Sequence, residues 1–256
     1  MRRAKVALTD PAWEAAKAAR RNLGHDDAIQ EVCFLQRQYR VQWSSHVPPS
    51  AVDLYTIVRT LTRKRIPFVL TGAHGIAGWT GMPRNTQDVD ILVKGGRNHA
   101  RAVKALRELY PQLEVRNFAG VTAFFIPGDR KSVIDVTYPH RADIAETLAN
   151  PTWTENKEEG LRYRIPSLEE ALANKYGAML TPNRDPDKRL VDAADFTRMV
   201  RHASDEGRRP IDLRRLKALG EKAWPGGGGQ EILRLVEQVK AGGIIDLNAL
   251  MGKAAP

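Results

Sequence analysis

The chain has 256 residues, an apolar fraction of 42% and a formal net charge of +10, enough length for one ample core or two modest domains. No uninterrupted apolar run approaches the roughly 20 residues of a membrane helix, and Met1-Arg2-Arg3-Ala4-Lys5 leads into Ala7-Leu8-Thr9-Asp10 without the apolar core of a signal peptide, so a cytoplasmic protein is expected. The single Cys33 rules out an internal disulfide, and six scattered histidines, none paired at i, i+4, give a zinc site no support.

Asp10-Pro11 reads as an N-cap followed by proline at the first helical position, predicting a helix to about Arg21. Asp26-Asp27 opens a second, with Ile29, Val32, Cys33 and Leu35 at helical spacing. After a break at Val47-Pro48-Pro49, Ser50 is the expected cap of a helix from Ala51 to about Lys64, with Val52, Tyr55, Val58 and Leu61 on one face. Ile66-Pro67-Phe68-Val69-Leu70 reads as a short buried strand. It ends in Thr71-Gly72-Ala73-His74-Gly75, and Ile76-Ala77-Gly78-Trp79 can open a short helix. A second strand contains Val89-Asp90-Ile91-Leu92-Val93, and an amphipathic helix follows through Ala100, Val103, Leu106 and Leu109. Val121 to Ile126, a Pro127-Gly128-Asp129-Arg130-Lys131 turn, and Val133 to Val136 form a hairpin. After Pro166 the pattern is helical without a further convincing strand. Gly226 to Gly229 reads as a flexible joint before a final helix from Gln230 to about Ala241.

These elements define an α/β (α+β) chain. A small mixed-sheet core, residues 51–164, is flanked by an N-terminal helical extension, 1–50, and a C-terminal helical domain, 165–256. Residues 1–66 hold 12 Lys/Arg against 6 Asp/Glu, residues 67–160 hold 11 of each, and residues 161–256 hold 17 against 13. Basic flanks around a neutral core suit an enzyme that recruits RNA, with Arg208-Arg209 and Arg214-Arg215 offering phosphate contacts, although a solubilising surface accounts for the same excess.

The chemistry concentrates in Thr80-Gly81-Met82-Pro83-Arg84-Asn85-Thr86-Gln87-Asp88-Val89-Asp90. Strand side chains alternate with period two, so Asp88 and Asp90 share a face. Like charges held that close need a cation between them or a retained proton, unless they only cap an edge strand in water. Asp135, alone inside the apolar strand Val133-Ile134-Asp135-Val136, supplies a third carboxylate. Three such groups are what two-metal phosphoryl chemistry requires. A glycine turn at Gly72 can present backbone N–H groups to phosphate oxygens, or be only a turn. Arg84 can bind a phosphate or pair with a carboxylate, Thr86 lies near the metal site or merely enters the strand, and His74 can touch a phosphate or cap the helix after the turn. Asp187, Lys188, Asp192 and Asp195 have the spacing of surface ion pairs.

Gly72, the run Arg84-Asn85-Thr86-Gln87-Asp88-Val89-Asp90 and the distal Asp135 together resemble the DNA polymerase β-type nucleotidyltransferase superfamily. The Arg-x-Thr-x-Asp-x-Asp spacing is most similar to its AbiEii-like branch, the toxins of type IV toxin–antitoxin systems, and Ile165 to Lys175 with Arg184 to Asp195 also look like that branch. The resemblance spans roughly Pro67 to Val200. It implies Mg²⁺ (or Mn²⁺) on Asp88, Asp90 and Asp135, an NTP gripped by the Gly72-Ala73 turn, a tRNA or other RNA end as acceptor, and an antitoxin partner. Lys175 falls on a position of that family, while the residues alone read it as a solvated lysine. The superfamily's turn is usually Gly-Gly or Gly-Ser; Ala73 keeps the backbone N–H and lacks the hydroxyl. A small-molecule acceptor, or nucleotide and RNA binding without turnover, are the rival functions.

Overall fold

The computed structural model describes residues 23–43 and 52–254. The helix expected from Asp10, the Val47-Pro48-Pro49 break and Ser50 lie outside them. Helix α1 (His25–Trp43) turns Ile29, Val32 and Cys33 inward. The Asp26 carboxylate ties its start to the body by accepting from the Tyr55 and Tyr163 hydroxyls at 3.2 and 2.6 Å. Helix α2 (Leu54–Arg63) is capped by Asp53, which accepts from the Thr56 N–H at 2.8 Å, so it starts three residues later than expected while burying Tyr55, Val58 and Leu61 as its spacing requires.

The central sheet follows from β1 (Phe68–Leu70), α3 (Gly72–Thr80), β2 (Val89–Val93), α4 (Arg97–Leu109), β3 (Glu114–Phe118), β4 (Val121–Phe125) and β5 (Ser132–Thr137), with strand order β1-β2-β5-β4-β3. β2 runs parallel to β5 and antiparallel to β1, and β5-β4-β3 is an antiparallel meander. The mixed sheet and the β4–β5 hairpin match expectation, whereas β3, the helix α5 (Ala142–Ala149) and a separate hairpin of β6 (Thr152–Asn156) with β7 (Leu161–Ile165) were not foreseen.

After β7 the chain is helical, through α6 (Leu168–Leu180), α7 (Pro186–Ala203), α8 (Leu213–Ala223), α9 (Gly228–Lys240) and α10 (Leu247–Ala254). Two apolar clusters result. One joins α1, α2 and α4 to the sheet and β7; the other fills the space among α6 to α10. Helix α3 serves both, giving Ala73 and Ala77 to the first and Ile76 to the second.

Three expectations are overturned here. The tetraglycine is a hydrogen-bonded corner rather than a flexible joint: Gly226 and Gly227 are exposed, Gly228 and Gly229 are buried inside α9, and the Glu221 carboxylate accepts from the N–H groups of Gly226 at 2.6 Å and Gly229 at 3.0 Å. Nor is α9 the final helix. Arg209 and Arg215 are likewise not free phosphate contacts, because they neutralise Glu169 and Glu170, two glutamates fully buried at the start of α6.

At the α8–α9 contact a Cβ on Gly220 would meet the side chain of Ile232 and lie 2.7 Å from the Gly228 carbonyl oxygen. Gly220→Ala should therefore destabilise by roughly 1–3 kcal/mol through overpacking, although alanine gains about 1 kcal/mol of helix propensity. Urea unfolding measures the balance, and a more stable variant would show that the two helices can separate at no cost.

Candidate active site

The β2–β5 register puts Asp90 directly opposite Asp135. In a parallel pair, directly opposed residues project to the same face. Asp88, two residues before Asp90, joins them, and one oxygen from each of the three lies within 4.8 Å of the others. Thr86 holds Asp88 by donating its hydroxyl to Oδ1 at 2.5 Å. Ala123, the β4 neighbour of Asp135, is small enough to leave the carboxylates facing a cleft of about 770 Å³.

Burial, reinforced by repulsion from Asp88 and Asp135, holds the Asp90 carboxyl well above the ordinary carboxylate range. Asp135 is raised by burial and then by Asp88. Asp135 Oδ1 is also buried with no hydrogen-bond partner. An orphaned carboxylate oxygen beside two others is an all-oxygen donor set, and it suits a hard divalent cation such as Mg²⁺ or Mn²⁺.

Gly72 is required by its surroundings. Its φ is +59°, and a Cβ there would overlap the Asp90 carboxyl group. The preceding Thr71 N–H donates to the Asp90 carbonyl at 2.9 Å, fixing the turn against the strand. Gly72 and Ala73 open α3 and line the cleft, placing the first N–H groups of that helix at its edge. His74 is fully buried within α3, which takes Thr71 as its N-cap, so His74 does not cap the helix and its side chain does not line the cleft.

The opposite wall comes from α6 and α7. Lys175 is no solvated lysine: its side chain is 12% exposed, and Nζ lies 2.8 Å from both Asp192 and Asp195. Burial favours the neutral amine, but Asp195 and Asp192 outweigh it and hold the ammonium above its usual value. Arg84 forks onto Asp195 at 2.9 and 3.0 Å, and Arg184 reaches Asp192 at 2.7 Å. Asp192 and Asp195 are therefore the buried anions of an ion-pair network with Lys175, Arg84 and Arg184, not surface partners. Asp187 and Lys188 are exposed as expected, and Lys188 lines the cleft. Phe118, Val121, Arg130 and Lys131 also line it, contributed by β3 and by the β4–β5 hairpin.

No protein-family model and no curated protein matches the chain. Solved structures similar in fold include an antigenic nucleotidyltransferase-like protein from Paracoccidioides brasiliensis, 17% identical, covering 90% of this chain and 99% of that one with a TM-score of 0.42. A second is ANT(2")-Ia in complex with adenylyl-2"-tobramycin, 16% identical, covering 76% of this chain and 98% of that one with a TM-score of 0.42. JHP933 from Helicobacter pylori is 13% identical, with 81% and 95% covered and a TM-score of 0.37.

Raised carboxyls bind protons more tightly when folded. The stabilising contribution of these two groups in the metal-free protein is thus fully present below the unfolded carboxylate value near 4, and is lost as pH rises from about 4 through the elevated folded values of Asp90 and Asp135. A divalent cation removes that penalty. Added Mg²⁺ should therefore raise the melting temperature more at pH 8 than at pH 5. Asp90→Asn should melt higher than wild type without metal and respond less to it. Equal Mg²⁺ responses at both pH values would contradict a carboxylate-held ion.

Proposed function

We propose that the protein is a metal-dependent nucleotidyltransferase that moves NMP from an NTP to a hydroxyl acceptor. The observation that carries this reading is the Asp90–Asp135 register, which brings a carboxylate forty-five positions away in sequence to within one ion's reach of Asp88 and Asp90. A bound cation at these oxygens would neutralise charge developing on the phosphate. The Gly72 and Ala73 N–H groups receive the triphosphate through backbone contacts, so the missing hydroxyl at position 73 leaves that cradle intact. Lys175, Arg84 and Arg184, already oriented by Asp192 and Asp195, supply positive charge toward the leaving group. Thr86 positions Asp88. Asp135 accepts the acceptor's proton as its oxygen attacks the α-phosphorus, the bond to the β-phosphate breaks, and pyrophosphate leaves.

By its motif resemblance, the protein falls in the AbiEii-like branch and works in the cytoplasm as the toxin of a toxin–antitoxin pair, with an RNA or tRNA end as acceptor and an antitoxin as partner. No helix among the described residues is long and apolar enough to cross a membrane, in keeping with that setting. The division into a core at 51–164 with flanking parts at 1–50 and 165–256 belongs to the same reading.

Incubation of the protein with each α-labelled NTP, Mg²⁺ or Mn²⁺ and total RNA should label an RNA species and release pyrophosphate. Asp88→Asn, Asp90→Asn and Asp135→Asn should each lower transfer by roughly a thousandfold or more while circular dichroism stays unchanged, since an amide cannot compensate a dication. Metal-dependent NTP binding with no transfer to RNA or to a small hydroxyl acceptor would move the protein to a binding role.

A further inference from the structure

In-line displacement puts the attacking and leaving oxygens on opposite sides of the α-phosphorus. Strand order β1-β2-β5-β4-β3 sets the Gly72 turn on one side of the Asp90–Asp135 pair and the β4–β3 wall on the other. If pyrophosphate departs along the Gly72 turn, the acceptor approaches over β4 and β3. That wall has a specific chemistry. Phe118, at the end of the edge strand, is 58% exposed within the cleft and meets Phe125 edge to face at 6.5 Å, with Val121 beside it. Arg130 and Lys131, in the β4–β5 turn, are exposed at the same wall and make no ion pair among the described residues.

The cleft's carboxylates all have a use, Asp88, Asp90 and Asp135 in holding the cation of that reading and Asp192 in pairing with Lys175 and Arg184. No acid remains to receive a polyamine acceptor. The charges left over are cations, placed next to an exposed aromatic ring. That combination recognises a flat base with a phosphate close by, which is a nucleotide terminus.

Resting on the transferase reading above, we infer that Phe118 with Arg130 and Lys131 forms the acceptor subsite, Phe118 stacking the terminal base and the two cations holding the phosphate behind it. The 3′-hydroxyl of that nucleotide then faces Asp135, and its oxygen forms the new ester to the α-phosphorus as the bond from that phosphorus to the β-phosphate oxygen breaks, pyrophosphate leaves and the proton passes to Asp135. Phe118 is therefore a specificity-determining residue, separate from the triphosphate cradle.

The test uses the full-length protein, Mg²⁺, an α-labelled NTP and three acceptors: a single-stranded RNA oligonucleotide, the DNA oligonucleotide of the same sequence, and tobramycin. Phe118→Ala should raise KM for the oligonucleotide about 5- to 150-fold, the span that loss of one base–aromatic stack predicts. KM for the NTP should not move, and Phe118→Tyr should restore the acceptor KM. Arg130→Glu with Lys131→Glu should weaken oligonucleotide use and flatten its salt dependence. Transfer to either oligonucleotide supports the subsite and identifies the sugar; preferential transfer to tobramycin overturns it, as does an acceptor KM unmoved in Phe118→Ala. If wild type transfers nothing, fluorescence anisotropy of the labelled oligonucleotide separates the two claims. Lower affinity in Phe118→Ala then sustains the subsite while the transferase reading falls, and unchanged affinity ends both.

Discussion

Asp90 and Asp135 face each other across the parallel β2–β5 pair while Asp88 closes on both from the residue before β2. Two full charges at about 5 Å repel by roughly 3 kcal/mol at an effective dielectric near 20, a sizeable part of a domain's net stability. Here the cost is concentrated in one place, and burial adds to it by holding the Asp90 carboxyl well above the usual range. A fold keeps such a cluster only if the strands bearing it are held by everything around them. The apolar residues on the far face, Val89, Ile91, Ile134 and Val136, are fully buried and supply that hold.

The helices after β7 contribute in a different way. Lys175, Asp192 and Asp195 on their own would carry one uncompensated negative charge, and Arg84, from the loop between α3 and β2, pairs with Asp195 from across the cleft. The loop carrying Asp88 is thereby fastened to α7 through charge-assisted hydrogen bonds in a poorly solvated setting. Burial opposes ionisation of Asp195, but Lys175 and Arg84 hold it below its ordinary value, so the network stays charged at neutral pH. One set of residues thus both closes the helical part onto the sheet and presents cations to the cleft.

Period-two alternation was enough to find Asp88 and Asp90 on one face, and an isolated carboxylate in an apolar strand was enough to single out Asp135. That β2 pairs with β5 in this register is a tertiary fact, set by the crossover through α4 and the meander. The helical spacing of Asp192 and Asp195 was read correctly and its face wrongly. A 3.6-residue period says which residues share a side of α7, and not which side meets solvent when α3 and α6 both pack on that helix. β3 was invisible because Glu114–Phe118 is exposed nearly throughout and shows no alternation. β7 was missed although its signal is present, since Leu161, Tyr163 and Ile165 alternate with two arginines. The tetraglycine misled because composition reports backbone freedom in the unfolded chain, while in the fold the absent Cβ atoms let α8 and α9 touch.

The central claim is that one divalent cation site is shared by three carboxylates at the edge of a backbone phosphate cradle. The most direct measurement is a crystal structure with Mn²⁺ and a non-hydrolysable NTP, phased to show anomalous scattering. Manganese bounded by oxygens of Asp88, Asp90 and Asp135, with triphosphate oxygens on the Gly72 and Ala73 N–H groups, is the predicted result. Manganese bound elsewhere, or a triphosphate seated away from the α3 N-terminus, would contradict it.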